Sequence, residues 1–209
     1  MKVTLITHTP DPQRLIETCA RISYESKNEP FDQKVNSEFI RKLIRNGHES
    51  PLEHASATFL IEGVSRACSH QIVRHRLCSY TQRSSRYTKF DPDKNTFVWP
   101  SSVKNGGQKA IIAANCALST AHDCYNALID AGVPKEDARF FLPQAEATSL
   151  YMTANFREWR HFLKLRLDRH AQWEIRAVAC KIYEKLSEIA QDVFEDLASE
   201  YQSNFVAGG

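Results

Sequence analysis

Apolar and polar residues alternate from Lys2 to Thr7, the period of a half-buried strand. Behind Pro12, the stretch from Gln13 to Ile22 reads as a short helix. From Asn36 to Asn46, Phe39, Leu43 and Ile44 recur at helical spacing, and Gly47 follows where a C-terminal cap belongs. Between Ala55 and Glu62 the period returns to two, with Ala57, Phe59 and Ile61 on one face. Ser65 is placed to cap a helix running to about Arg76. Leu77 to Phe90 holds no period and is rich in Ser, Thr and Arg, which predicts a loop. A short strand is expected from Thr96 to Trp99. Asn105, Gly106 and Gly107 are turn residues before a long helix, whose one face carries Ile111, Ala114, Leu118, Ala121, Tyr125 and Leu128 and which ends near Gly132. Pro134 opens a short helix that stops before Pro143. Thr148 to Thr153 reads as a strand, and Asn155 caps a helix from Phe156 to about Arg166. Ile182, Leu186, Ile189, Val193 and Leu197 form the stripe of one final helix from Gln172 to Glu200, with a loose tail from Asn204. Helices outnumber scattered strands and no repeat is visible, so the expectation is an α+β fold in one domain spanning residues 1–209.

Composition narrows the function. A net charge of +2 gives no bulk pull on nucleic acid, so attraction for anions must come from local clusters. No run of 18 apolar residues exists, and the N-terminal stretch lacks a basic start with a long apolar centre, so no membrane association and a cytoplasmic location are expected. The six cysteines include no C-x-x-C pair and read as reduced, mostly buried small hydrophobes.

The densest chemical signal is Arg74-His75-Arg76, followed by Ser79, Gln82, Arg83, Ser84, Ser85, Arg86 and Tyr87. Guanidinium forks match phosphate oxygens, and serine hydroxyls and loop N–H groups supply further donors, so the cluster reads as a phosphate or pyrophosphate site. A solvated basic loop with weak nucleic-acid contacts is the competing reading. Glycine-rich nucleotide fingerprints are missing, so a dinucleotide would have to be held by arginine side chains. A second signal runs from Gly47 to His54. His48, Glu53 and His54 are metal-type donors, but their spacing fits no helical zinc pattern and no cysteine pair completes a site, so no metal is expected. A third comprises Arg166, Asp168, His170, Gln172 and Trp173, where Asp168 has Arg166 or Arg169 as a possible salt-bridge partner. Arg139, ahead of Phe140-Phe141-Leu142-Pro143, is a basic residue in an apolar setting that calls for a partner, and an anion would serve.

Arg74-His75-Arg76, seven residues and Ser84 match the RHR-x7-S signature of the flavin-dependent thymidylate synthases. Ala20-Arg21-Ile22-Ser23-Tyr24, Gly47 to Pro51 with Glu53-His54, and Arg139 to Pro143 resemble further segments of that family. So do Asn155, Arg157, His161, Arg166, His170, Ala171, Gln172 and Glu174, and the blocks fall in order over most of the chain. The resemblance implies one α+β domain of that type, with helices flanking a mainly antiparallel sheet. It implies a homotetramer with sites shared between subunits, and reductive methylation of dUMP to dTMP. FAD would be the hydride carrier, NADPH the reductant and methylenetetrahydrofolate the carbon donor. Carried over by residue, Arg74, His75 and Arg76 contact FAD, with His48 and Ser50 nearby; Asn155, Arg157 and His161 hold it from another segment, and Gln82 borders both ligands. Gln71, Arg74, Gln82, Arg83, Ser84, Ser85 and Arg86 line the dUMP site, Arg139 completes the phosphate grip, and Arg166 polarises the uracil. Gln82 stands where the family often has glutamate. Ser84 has no readable base partner and is assigned to binding, since an isolated hydroxyl is a weak nucleophile. Cys78, inside the signature, reads as filler.

Overall fold

The computed structural model describes residues 1–22, 35–87 and 97–206, without the side chains of 205 and 206. Four strands, β1 (Lys2–His8), β2 (Ser56–Ser65), β3 (Ser79–Gln82) and β4 (Ala147–Asn155), form one sheet in the order β1-β2-β4-β3. The Thr9 N–H, just past β1, donates to Ser56 O at the start of β2. Phe156 N–H meets Ala55 O at one end of the β2–β4 pair and Arg66 N–H meets Glu146 O at the other. Both pairs are therefore antiparallel, as the α+β expectation required.

The chain divides into two compact units. The larger comprises Val3–Ile61, Ile72–Tyr80 and Tyr151–Gly209. In its stretch of β2, Ala57, Phe59 and Ile61 are buried while Thr58 and Leu60 alternate outward, as the period of two predicts. Helix α7 (Phe156–Arg166) starts at Asn155, whose side-chain oxygen accepts from Glu158 N–H at 2.9 Å. Its apolar face drives Phe156, Trp159 and Phe162 out of water. The Trp159 indole donates to Ala57 O at 3.1 Å and its ring meets Phe59 edge-on at 5.1 Å. Helices α1 (Pro12–Ile22) and α2 (Ser37–Arg45) add Ile16, Ile40 and Leu43 to this core.

The predicted terminal helix is broken. Helix α8 (Trp173–Ile189) stops at Ala190, where φ is −153° and ψ 60°. The chain continues through a short α9 (Gln191–Phe194), a 3-10 turn at Glu195–Leu197 and α10 (Ala198–Val206). Neither Gly nor Pro marks the break. Side chains distant in sequence hold it instead. Gln13 accepts from the Asp192 N–H at 3.0 Å and donates to the Asp192 carboxylate at 2.9 Å, and Arg41 reaches the same carboxylate at 2.8 Å. Arg160, 1% exposed, donates to Asp196 through two bonds of 2.7 Å and caps Val193 O.

The smaller unit comprises Met1–Lys2, Glu62–Gln71 and Thr81–Leu150. Ser65 caps α3 (Arg66–Ile72) by accepting from Cys68 N–H at 3.0 Å, but the helix ends at Ile72 and does not reach Arg76. The predicted loop after Leu77 contains β3. Its Ser79-Tyr80-Thr81-Gln82 run is too short and polar to show a period, and pairing alone makes it a strand. Of the strand expected from Thr96, only Phe97 bridges to Glu146 among the described residues. A one-turn α4 (Ser101–Asn105) precedes α5 (Gly107–Asp130). Tyr125 is buried with Ala138 of α6 (Lys135–Ala138), packed by Phe97, Leu128, Ile129, Val133 and Leu142. The rest of the predicted α5 stripe is half-buried.

Arg160→Ala leaves the buried Val193 O without its side-chain donor, removes the pairing to Asp196 and opens a void in the core. It is expected to cost about 2–4 kcal/mol of stability, read from urea unfolding of the purified protein.

Candidate active site

Arg74-His75-Arg76 occupies the turn after α3. The His75 N–H donates to Ile72 O, Cys78 N–H donates to His75 O, and the Tyr80 hydroxyl sits 2.8 Å from Ile72 O and 2.9 Å from His75 O. The turn is thus pinned from three sides. His75 points inward and is buried, while Arg74 and Arg76 are exposed. Arg166, at the end of α7, donates its Nε–H to His75 Nε2 at 3.0 Å. His75 Nδ1 lies 3.8 Å from the buried Glu158 carboxylate. Burial first, then the charges of Arg166 and His161, bring the His75 pKa down from 6.5 to about 4, so the ring is neutral at pH 7. Burial likewise pushes the Cys78 thiol up to about 12, with the nearby Glu158 charge adding to it. At neutral pH that thiol keeps its proton.

These groups line a cleft of about 810 Å³ within the larger unit, a size typical of small-ligand sites. Arg74, Arg76, Arg157, Lys164 and Arg166 supply five cations against the carboxylates of Glu49, Glu53 and Glu158. Helical spacing puts Arg157, His161 and Lys164 along one side of α7. Opposite them, a Schellman turn closes α2: Gly47, at φ +71°, donates to Ile44 O, and His48 N–H donates to Leu43 O. That turn delivers Glu49, which reaches Arg160 at 3.4 Å and Lys164 at 3.3 Å, while Glu53 pairs with Arg157. His48 and Ser50 line an adjoining recess that shares Glu49 and Arg157 with the cleft. Arg74 and Arg76 have no ion pair among the described residues, and the excess of cations suits an anionic ligand such as a pyrophosphate.

The smaller unit gathers the other predicted residues. The Gln82 amide donates to Ser69 at 3.0 Å and Thr148 at 3.3 Å, so both donors absent from a glutamate are in use. Arg139 donates to Ser85 Oγ at 3.3 Å and to Glu136 O, and Arg86 pairs with Glu136 at 3.1 Å. Ser84 accepts from the Arg86 N–H. Arg83 turns toward Ala147 O and the buried Glu146, whose other oxygen faces Arg66. Arg66, His70, Ser85 and Arg139 line a hollow of about 280 Å³ here. Gln71 is half-buried near the end of α3 and lines neither space.

Some expectations change. Asp168 pairs with neither neighbouring arginine: its carboxylate accepts from the His170 backbone N–H at 2.7 Å and lies 2.8 Å from His170 Nδ1, while Arg166 is committed to His75. The short Asp168-Arg169-His170 turn favours this local bond over a longer reach. His48, Glu53 and His54 form no metal-type cluster among the described residues. His75, Glu158 and His161 do bring three such donors within 4.8 Å, but the surrounding cations oppose a metal ion there. Ser23 and Tyr24 lie outside the described residues. Glu49, Glu158 and Lys164 escaped the sequence reading as site groups. For Glu158 and Lys164 the available signal was the helical step of three or four residues along α7, Glu158 to His161 to Leu165 and Arg157 to His161 to Lys164.

The site defines a class: an α+β protein with an arginine-rich cleft whose cations outnumber its carboxylates. Residues 4–190 match the family described as "Thymidylate synthase complementing protein". A flavin-dependent thymidylate synthase of Geobacter sulfurreducens is 44% identical over 94% of this chain and 86% of its own length. One from Pyrococcus furiosus is 44% identical over 90% and 79%. The crystal structure of a UMP/dUMP methylase, PolB from Streptomyces cacaoi, bound with 5-Br dUMP, superposes with a TM-score of 0.83 at 26% identity, covering 95% of this chain and 94% of that one. The chain belongs to the flavin-dependent thymidylate synthase family.

Two measurements test the electrostatics. Iodoacetamide at pH 8 is expected to label exposed Cys116 well before Cys78; equal rates would show the Cys78 thiol to be ionised. Because the folded His75 binds its proton only near pH 4, the unfolded chain takes up that proton first as pH falls below 6.5. The histidine therefore lowers stability progressively between those values. Replacing it by glutamine is expected to flatten the acid decline of the unfolding free energy relative to the wild type.

Proposed function

We propose that this protein converts dUMP to dTMP by reductive methylation, with methylenetetrahydrofolate as carbon donor, FAD as hydride carrier and NADPH as reductant. The observation that carries the reading is the cleft in which Arg74 and Arg76 stand exposed beside an Arg166 held by a neutral His75. Family membership at 44% identity to named synthases supports it. The cleft fits a flavin dinucleotide in volume and charge. Arg74, Arg76 and Arg157 would hold its phosphates, with His48, Ser50, His75, Asn155 and His161 around it, and Gln82 is the residue of the smaller unit assigned to the cofactor.

FAD held there and reduced by NADPH would supply the hydride that turns the transferred methylene into the methyl group, with the donor released as tetrahydrofolate. The remaining work belongs to the protein. Gln71, Arg74, Gln82, Arg83, Ser84, Ser85 and Arg86 orient dUMP, and Arg139 neutralises its phosphate. Arg166, permanently protonated, stabilises negative charge as the uracil N3 ionises; it abstracts no proton itself. Cys78, protonated and half-buried, offers no thiolate to the uracil. We further propose a cytoplasmic homotetramer whose sites draw residues from several subunits.

The deciding assay supplies purified protein with FAD, NADPH, methylenetetrahydrofolate and either dUMP or UMP, and measures NADPH oxidation and product. Formation of dTMP dependent on every component is expected; no flavin uptake and no product would end the proposal. Arg166→Ala is expected to keep flavin and lose on the order of 100-fold in kcat. Arg139→Ala is expected to raise the KM for dUMP about tenfold with a smaller effect on kcat.

A further inference from the structure

The Arg166–His75 contact is unusual in kind. A half-buried arginine ordinarily meets a carboxylate or a carbonyl, but here its Nε–H rests on an imidazole nitrogen at 3.0 Å, and no carboxylate pairs with Arg166 among the described residues. An Nε2 that accepts a hydrogen bond carries no proton. The proton of the neutral ring is therefore on Nδ1, on the side facing Glu158 at 3.8 Å. The ring has little freedom to turn. Its side chain is 3% exposed, Phe162 packs edge-on at 4.8 Å and His161 at 6.0 Å, and its backbone carbonyl is held by Tyr80.

The consequence falls on Arg166. With Nε–H engaged by His75, neither terminal NH2 group of Arg166 meets an acceptor among the described residues, and Arg166 lines the cleft. A planar fork of that kind matches a flat acceptor edge such as that of an ionised uracil. We propose that His75 is a positioning residue for Arg166: a neutral acceptor at Nε2, with Glu158 on its Nδ1 side, that aims the arginine's terminal N–H pair at the reacting base. This rests on the assignment of Arg166 to charge stabilisation. It gives the central residue of Arg74-His75-Arg76 a task distinct from contact with the flavin.

The charges around the ring agree. Arg166 and His161 disfavour a proton on it, Glu158 favours one, and protonated Cys78 and Tyr80 carry no charge. Burial decides the balance for the neutral ring.

Two substitutions and one spectrum test the proposal. His75→Phe keeps a flat ring against Phe162 and removes the acceptor; His75→Gln restores an acceptor near the Nε2 position. His75→Phe is expected to lower kcat about 10- to 100-fold with little change in the KM for dUMP, and His75→Gln to recover most of that loss. In an Arg166→Ala background His75→Phe is expected to cost nothing more, since a residue acting through another adds no second penalty. Full activity of His75→Phe, no advantage of Gln over Phe, or an undiminished penalty in the Arg166→Ala background would each overturn the proposal. Imidazole 15N NMR of flavin-free protein gives an answer independent of turnover. It is expected to show His75 as the Nδ1–H tautomer between about pH 6 and pH 8, with the Nε2 signal shifting in Arg166→Ala. A protonated ring, the opposite tautomer or an unmoved Nε2 signal would also overturn it. If the wild type makes no dTMP while the spectrum is as expected, the contact stands and the proposed reaction fails.

Discussion

Burial of α7 against β2 is the constraint from which the cleft follows. Phe156, Trp159 and Phe162 must leave water together, and the Trp159 indole bond to Ala57 O fixes the rotation of the helix about its axis. Once that rotation is set, the helical repeat has no freedom left. Arg157, His161 and Lys164 face the cleft, Glu158 faces the buried His75, and Arg166 arrives at the final turn. A rotation that spared the hydrophobic face would displace every charged group with it.

The cleft also shows how burial distributes chemistry among neighbours of similar type. Arg160 and Arg157 lie three residues apart on α7. The first is sealed in the core, satisfied by Asp196, Val193 O and Glu49, and serves stability. The second is half-exposed and shares Glu53 and Glu49 at the rim of the cleft, where a bound anion can compete for it. In Arg74-His75-Arg76 the same division falls within three residues, since two exposed guanidiniums flank a ring that desolvation keeps neutral. Charged groups left in water keep their charge for a ligand, and groups taken out of it are held neutral or paired.

Glu146 plays the corresponding part in the smaller unit. Its buried carboxylate is shared by Arg66 and Arg83, and Arg83 also reaches Ala147 O. Arg83 is therefore committed to the fold as much as to any ligand. Arg139 and Ser85 line the hollow more directly.

Much of this was legible from the residues alone. The strand at β1, the caps at Ser65 and Asn155, the Gly47 turn and the extent of α7 each rest on local backbone and side-chain bonding, which short sequence windows encode. The Arg74-His75-Arg76 to Ser84 spacing identified the family for the same reason: it lies within one short segment. What the windows did not contain came from distant partners. The last helix breaks at Ala190 because Gln13, Arg41 and Arg160 draw Asp192, Val193 and Asp196 away from a straight path. Ser79 to Gln82 is a strand because neighbours pair with it. Arg166 bonds to a histidine 91 residues away and leaves the aspartate two positions along to His170. Sequence encodes which groups are available and the local turns that carry them; tertiary packing, by removing water from some and not others, decides which of them meet and which remain charged.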